Sequence, residues 1–216
     1  MVNKDSSILI TGASGFLGNY VSDWLTAAGY ENIHTASGIR DDLDLTDSAT
    51  AGWLLDWSKP ECIIHLASKN SGLANNTKYP AGIMYENLSM SLNLFEEARQ
   101  HNVKKFIFAG DICSYPDNTP SPFRETDLWR GSPPTSKRFY AQSKRILMEF
   151  NTAMSYQYED WCGINLIFSD IYGIGDKWNP LYGKIIPSAI THVSAAKEED
   201  RDLEIFGSTR VERDFI

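Results

Sequence analysis

Short, wholly apolar runs alternate along this chain with longer segments of helical spacing. Ser7–Thr11 (SILIT) reads as a buried strand, followed by a glycine turn and a helix to about Ala28. Asn32–Ala36, Glu61–Leu66, Lys105–Ala109 and Gly163–Ser169 read as four further strands. Between them, 47–57, 81–101 and 139–158 show the three-and-four spacing of amphipathic helices. In the longest of these, Ile83, Met84, Leu88, Leu92, Phe95 and Ala98 predict a single apolar stripe. Continuous apolar strands alternating with helices predict a parallel sheet covered on both faces. The fold class expected is therefore α/β, a Rossmann-type doubly wound sheet. Beyond Gly173 the rhythm breaks into loop, helix and a short strand at 203–206. The division expected is a dinucleotide-binding domain over 1–173 and the start of a smaller substrate-binding region over 174–216. Because the chain stops just after a strand and turn, it reads as truncated.

The first turn carries the clearest chemistry. Thr11-Gly12-Ala13-Ser14-Gly15-Phe16-Leu17-Gly18 lies between the first strand and the first helix. Glycines there allow a tight turn and close approach of a pyrophosphate, and the helix start offers free amides and a positive dipole end. Gly12, Gly15, Phe16, Leu17 and Gly18 are thus the expected cofactor cradle. The second strand ends without an acid and is followed by Arg40, which favours a 2′-phosphate and hence NADP, leaving NAD open. Asp44 and Leu45 fall where an adenine edge would be held. Tyr140 and Lys144 lie four apart at the start of a helix, on one face. An ammonium beside a phenol stabilises the phenolate, which makes tyrosine usable as an acid–base group.

Composition narrows the partners. A net charge of −8 without a basic stripe disfavours nucleic acid. No apolar run is long enough to cross a bilayer. Three cysteines, an odd number without close spacing, suit a reduced, cytoplasmic protein. The four histidines show no metal-ligand spacing, and no metal is expected.

These motifs, TGASGFLG, the Tyr140/Lys144 pair and His65–Ser68 (HLAS), resemble the extended short-chain dehydrogenases of the NAD-dependent epimerase/dehydratase family, which act on nucleotide sugars. The segments 70–75, 79–81, 86–90, 113–116 and 186–187 are similar to the GDP-L-fucose synthases within it. The resemblance implies 3,5-epimerisation and NADPH-dependent C4 reduction of GDP-4-keto-6-deoxymannose by a homodimer. It implies that Tyr140 protonates the C4 oxygen, that Lys144 supports it and touches the cofactor, and that Ala67 lies on the cofactor. It also makes Cys113 the epimerisation acid/base and Asn87 and Arg213 substrate-side residues.

Three positions depart from the family pattern. The catalytic Ser/Thr is replaced by Asp111, the histidine that partners Cys113 by Lys184, and the asparagine of Asn-Leu-Tyr-Gly by Asp170. An ionised Asp111 beside Tyr140 opposes a developing alkoxide. Strand alternation, continued past the fourth strand, would put Asp111 and Cys113 on one face and Ser114 on the other. The same residues also admit an epimerase or dehydratase that retains NAD(P), or a catalytically impaired NADP-binding homologue.

Overall fold

A computed structural model describes residues 2–36, 43–70, 72–178, 184–203 and 215–216. Five strands, β1 (Ile8–Thr11), β2 (Ile33–Thr35), β3 (Cys62–His65), β4 (Lys105–Asp111) and β5 (Cys162–Phe168), form one sheet in the order β2-β1-β3-β4-β5. Every pairing is parallel. The helices are α1 (Phe16–Ala27), α2 (Ser48–Ser58), α3 (Gly72–Lys78), α4 (Pro80–Gln100), α5 (Arg138–Gln157) and α6 (Ile185–Glu198). The α/β reading of the sequence is borne out.

Period-two alternation with both faces covered explains the uninterrupted apolar strands. In β1, Leu9 joins the larger core with Ile63, Phe106, Phe108, Phe95 and Leu147, whereas Ile8 and Ile10 face a smaller one with Leu25. α2 starts where Asp47 accepts from the Thr50 amide at 3.0 Å, and α4 starts with Pro80, whose missing N–H costs nothing there.

Two expectations change, and one element is new: the seven-residue α3, whose polar GLANNTK stretch carries no apolar stripe to announce it. The stripe predicted for α4 is rotated: Ile83, Asn87, Ser91, Leu94, Phe95 and Ala98 are buried, and Met84, Leu88 and Leu92 only half-buried. Two polar residues take buried places because each satisfies a buried hydrogen-bonding group, described below. β4 runs two residues further than its apolar run, through Gly110 and Asp111, paired to Ile167 and Phe168 of β5. The strand expected at 203–206 lies largely outside the described residues.

Candidate active site

Because β1 neighbours β2 on one side and β3 on the other, the chain leaves the sheet in opposite directions there, which opens a crevice at the carboxyl ends of the strands. A cleft of about 530 Å³ occupies that place, within the range of small-molecule sites. Its floor is Thr11, Gly12 and Gly15, one wall is Asp44 and Leu45, and the other is Ala67 and Ser68. Of the expected cofactor residues, Gly12, Gly15, Asp44, Leu45 and Ala67 therefore share one cavity, while Phe16, Leu17 and Gly18 do not line it. Arg40 lies outside the described residues.

The glycines have distinct reasons to be glycine. Gly12 has φ +73°, and a Cβ there would stand 2.6 Å from the Ala67 nitrogen. Gly18 lets α1 press on the turn, since a Cβ would meet the Gly12 carbonyl and stand 2.6 Å from the Ala13 Cα. Gly15 is the N-cap of α1 without a side chain to fill the position, and the first turn holds no acid. The amides of Phe16, Leu17 and Gly18 thus receive no side-chain cap, and an anion at the helix start would meet no carboxylate of the first turn. Phe16 itself turns to Tyr20, at 5.5 Å between ring centres, and towards Gly173. These residues fit a dinucleotide pyrophosphate.

A buried polar chain ties the cleft together. The Thr11 hydroxyl lies 2.6 Å from His65 Nδ1, and His65 Nε2 lies 2.9 Å from the Ser91 hydroxyl. The Ala67 amide donates back to Thr11 at 3.4 Å. Complete burial, with the Lys144 charge nearby, pushes His65 down to about 3, so the imidazole is neutral. Asn87, 2 % exposed, is fully engaged. Its Oδ1 accepts from the Ser68 hydroxyl (3.0 Å) and the Lys69 amide (2.9 Å), and its Nδ2 donates to the carbonyls of Lys69 (3.0 Å) and Ile83 (2.7 Å). It has no donor left for a substrate. Asn87 acts by shaping the loop after β3, which corrects the substrate-binding role expected of it.

Tyr140 and Lys144, both buried, meet Asp111 at the end of β4. The Tyr140 hydroxyl donates to Asp111 Oδ2 at 3.3 Å, and Lys144 Nζ donates to the Ala109 carbonyl at 2.8 Å. Burial, then the Asp111 and Cys113 charges, push the phenol well above its usual range, while a contact from Ser68 pulls the other way. Burial lowers Lys144 to about 8, partly offset by Asp111 and Cys113.

Asp111 and Cys113 do meet, but not by strand alternation. The chain leaves the strand in a 3₁₀ turn over Ile112–Ser114, capped by Asp111 Oδ1 accepting from the Cys113 amide at 2.9 Å. Burial and Asp111 push the Cys113 thiol well up. The Lys137 and Lys144 charges pull the Cys113 thiol the other way. Lys184, expected as its partner, caps α6 and donates to the Ile171 carbonyl at 3.1 Å. Asp170 forms a bridge with Phe215, and Arg213 lies outside the described residues. Ser68, His65, Ser91 and Lys137 are site residues that the motif reading did not single out. Ser68 and His65 stood inside the quoted HLAS segment, but no spacing rule marks them.

Comparison with known proteins agrees with this geometry. The sequence model of the NAD dependent epimerase/dehydratase family matches residues 8–216. GDP-L-fucose synthase of Dictyostelium discoideum is 29% identical over 97% of the chain, and GDP-L-colitose synthase of Yersinia pseudotuberculosis 27% over 97%. The chain spans about two thirds of these relatives' length, 65% and 67% respectively. A GDP-L-fucose synthetase from Naegleria fowleri bound to NADP superposes with a TM-score of 0.84 at 25% identity, covering all of this chain and 70% of that one. GDP-mannoheptose C4 reductase from Campylobacter jejuni, at 22% identity and a TM-score of 0.86, shares the fold.

Proposed function

Because the chain belongs to the NAD dependent epimerase/dehydratase family, we propose that it is an NADP-dependent nucleotide-sugar oxidoreductase of the GDP-L-fucose synthase type. The substrate is a GDP-linked 4-keto-6-deoxy sugar. The observation that carries this reading is the buried Tyr140/Lys144 pair in the same fold as a glycine-floored cleft at the switch point of the sheet.

In this reading, Gly12, Gly15 and Gly18 hold the pyrophosphate, Asp44 and Leu45 the adenine end, and Arg40 the 2′-phosphate. NADPH bound there supplies the hydride. Tyr140 carries its proton at neutral pH and so has one to give to an oxygen as charge develops on it. Burial and Asp111 make it a weak acid, which needs the Lys144 charge to stabilise the phenolate. Lys144 is an ammonium below about pH 8 and counters that charge. Cys113, kept as a thiol, can deliver a proton but is a poor base. Lys184 is engaged with Ile171 rather than Cys113. Reduction is therefore favoured over epimerisation.

Residues 1–173 form the cofactor half, and 174–216, with Asp170 and Arg213, begin the substrate side. The outer face of α4 and α5 carries an apolar groove along Met84, Phe139, Ile146 and Phe150, which supports a homodimer. The three free cysteines support a cytoplasmic setting.

The test is turnover of GDP-4-keto-6-deoxymannose with NADPH by the full-length protein, with products identified by NMR. NADPH oxidation with a C4-reduced product is expected. Cofactor binding without turnover would overturn the reading. Asp111 accepting the tyrosine's hydrogen bond favours a second one, an epimerase or dehydratase that retains NAD(P); sugar conversion without net NADPH consumption would identify it.

A further inference from the structure

We propose that Asn93 of α4 is the positioning residue that holds the cleft wall over 44–46 in place for the adenine end of the cofactor, a role that rests on the reading of the cleft as a dinucleotide site. Asn93 reaches that wall from a different element. Its Nδ2 donates to the Leu45 carbonyl at 3.1 Å and to the Thr46 carbonyl at 2.9 Å. A side-chain amide carries two hydrogens on that nitrogen, and here both go to consecutive residues of one loop.

Position along α4 supports this assignment. Glu86, Met90 and Asn93 are spaced four and three apart, so they share one stripe of the helix. Glu86 and Met90 line the cleft, as do Asp44, Leu45 and Thr46. Asn93 continues that stripe to the place where the wall meets α4. Asn87 and Ser91 lie on the neighbouring, buried stripe and hold the other sides of the cleft, one through the Lys69 amide and the other through His65.

The wall needs this hold. Within itself it is a local turn: Asp44 Oδ1 accepts from the Thr46 amide at 2.9 Å, and the Asp44 carbonyl accepts from the Asp47 amide at 3.1 Å. Neither bond ties the turn to the rest of the fold. The buried Leu45 side chain does, in the same core cluster as Leu94 and Phe95 of α4. Apolar packing is non-directional, so it sets how deeply the loop sits but not how its peptide groups are turned. The two Asn93 bonds set that. Without them the Leu45 and Thr46 carbonyls must find donors in water, and the water at this wall is in the cleft. The loop then turns into the space the adenine would occupy.

Binding by the full-length protein tests this with two probes, NADPH and its adenine half, adenosine 2′,5′-bisphosphate. Asn93→Leu, which keeps the size and removes both donors, is expected to weaken each about tenfold, by the same factor. Asn93→Gln, which keeps the donors, should stay within about threefold of wild type. Wild-type affinity for the adenine half in Asn93→Leu would overturn the proposal. So would a loss for NADPH well beyond that for the half, the mark of a general structural role, or a loss as large in Asn93→Gln. Wild-type protein without cofactor supplies an independent arm. The Asn93 side-chain amide should show slowed hydrogen exchange and nuclear Overhauser contacts to Leu45 and Thr46; their absence defeats the proposal whether or not the variants fold. If the wild-type protein binds neither NADPH nor its adenine half, the cofactor reading falls, and the Overhauser contacts still decide whether Asn93 holds the loop.

Discussion

A single ammonium sets the working pH of the site. Lys144 is buried between the Phe108 and Tyr140 rings, 4.8 and 5.9 Å from their centres, and burial brings it down to about 8. Below that pH it is charged and stabilises a phenolate; above it the charge is gone. We predict that kcat/KM for reduction falls as pH rises through about 8. In Lys144→Arg, whose guanidinium stays protonated, that limb should vanish even if the rate is lower. A pH–rate profile of both proteins checks this, and a shared limb at 8 would assign it to another group. The motif made the tyrosine and lysine legible. Their ionisation was not, because it depends on how deeply α5 sinks against β4 and on the carboxylate that β4 extends to meet them.

At the scale of elements, the end of β1, the end of β3 and the middle of α4 are joined through Thr11, His65 and Ser91. His65 binds no proton in the fold until about pH 3, whereas in the unfolded chain it does so near 6.5. Its contribution is therefore present above pH 6.5 and lost as pH falls from 6.5 towards 3. The loss grows by about 1.4 kcal/mol per pH unit, or about 2 kcal/mol at pH 5. Urea unfolding at pH 7 and pH 5 should show this difference in the wild type and a smaller one in His65→Gln; equal differences would refute it. The sequence showed that α4 exists and found Ile83, Phe95 and Ala98 on its buried face, but it missed Asn87, Ser91 and Leu94 there. An apolar stripe cannot announce Asn87 and Ser91 as buried, because polar residues are costly inside unless paired, and their partners come from β3 and its loop, some twenty residues upstream.

For the whole molecule, the sheet and its cleft hold the cofactor side, and the α4/α5 face carries the groove between Phe139, Ile146 and Phe150. Ile146 is 45% exposed there and Phe139 48%, which a second copy would cover. We predict that Ile146→Glu converts a dimer to a monomer while NADPH binding is retained. Light scattering with cofactor titration checks this, and an unchanged mass would point to another interface. By itself the sequence determined the α/β class, the glycine cradle and the Tyr140/Lys144 pair, because periodicity, glycine geometry and helical spacing are local properties of the chain. Only the tertiary structure decided that Asp111 holds the phenol, that Lys184 serves Ile171 rather than Cys113, and that Ser68 donates to Asn87. Those relations join residues from separate strands and loops, and parallel crossovers bring them together at distances no local pattern encodes.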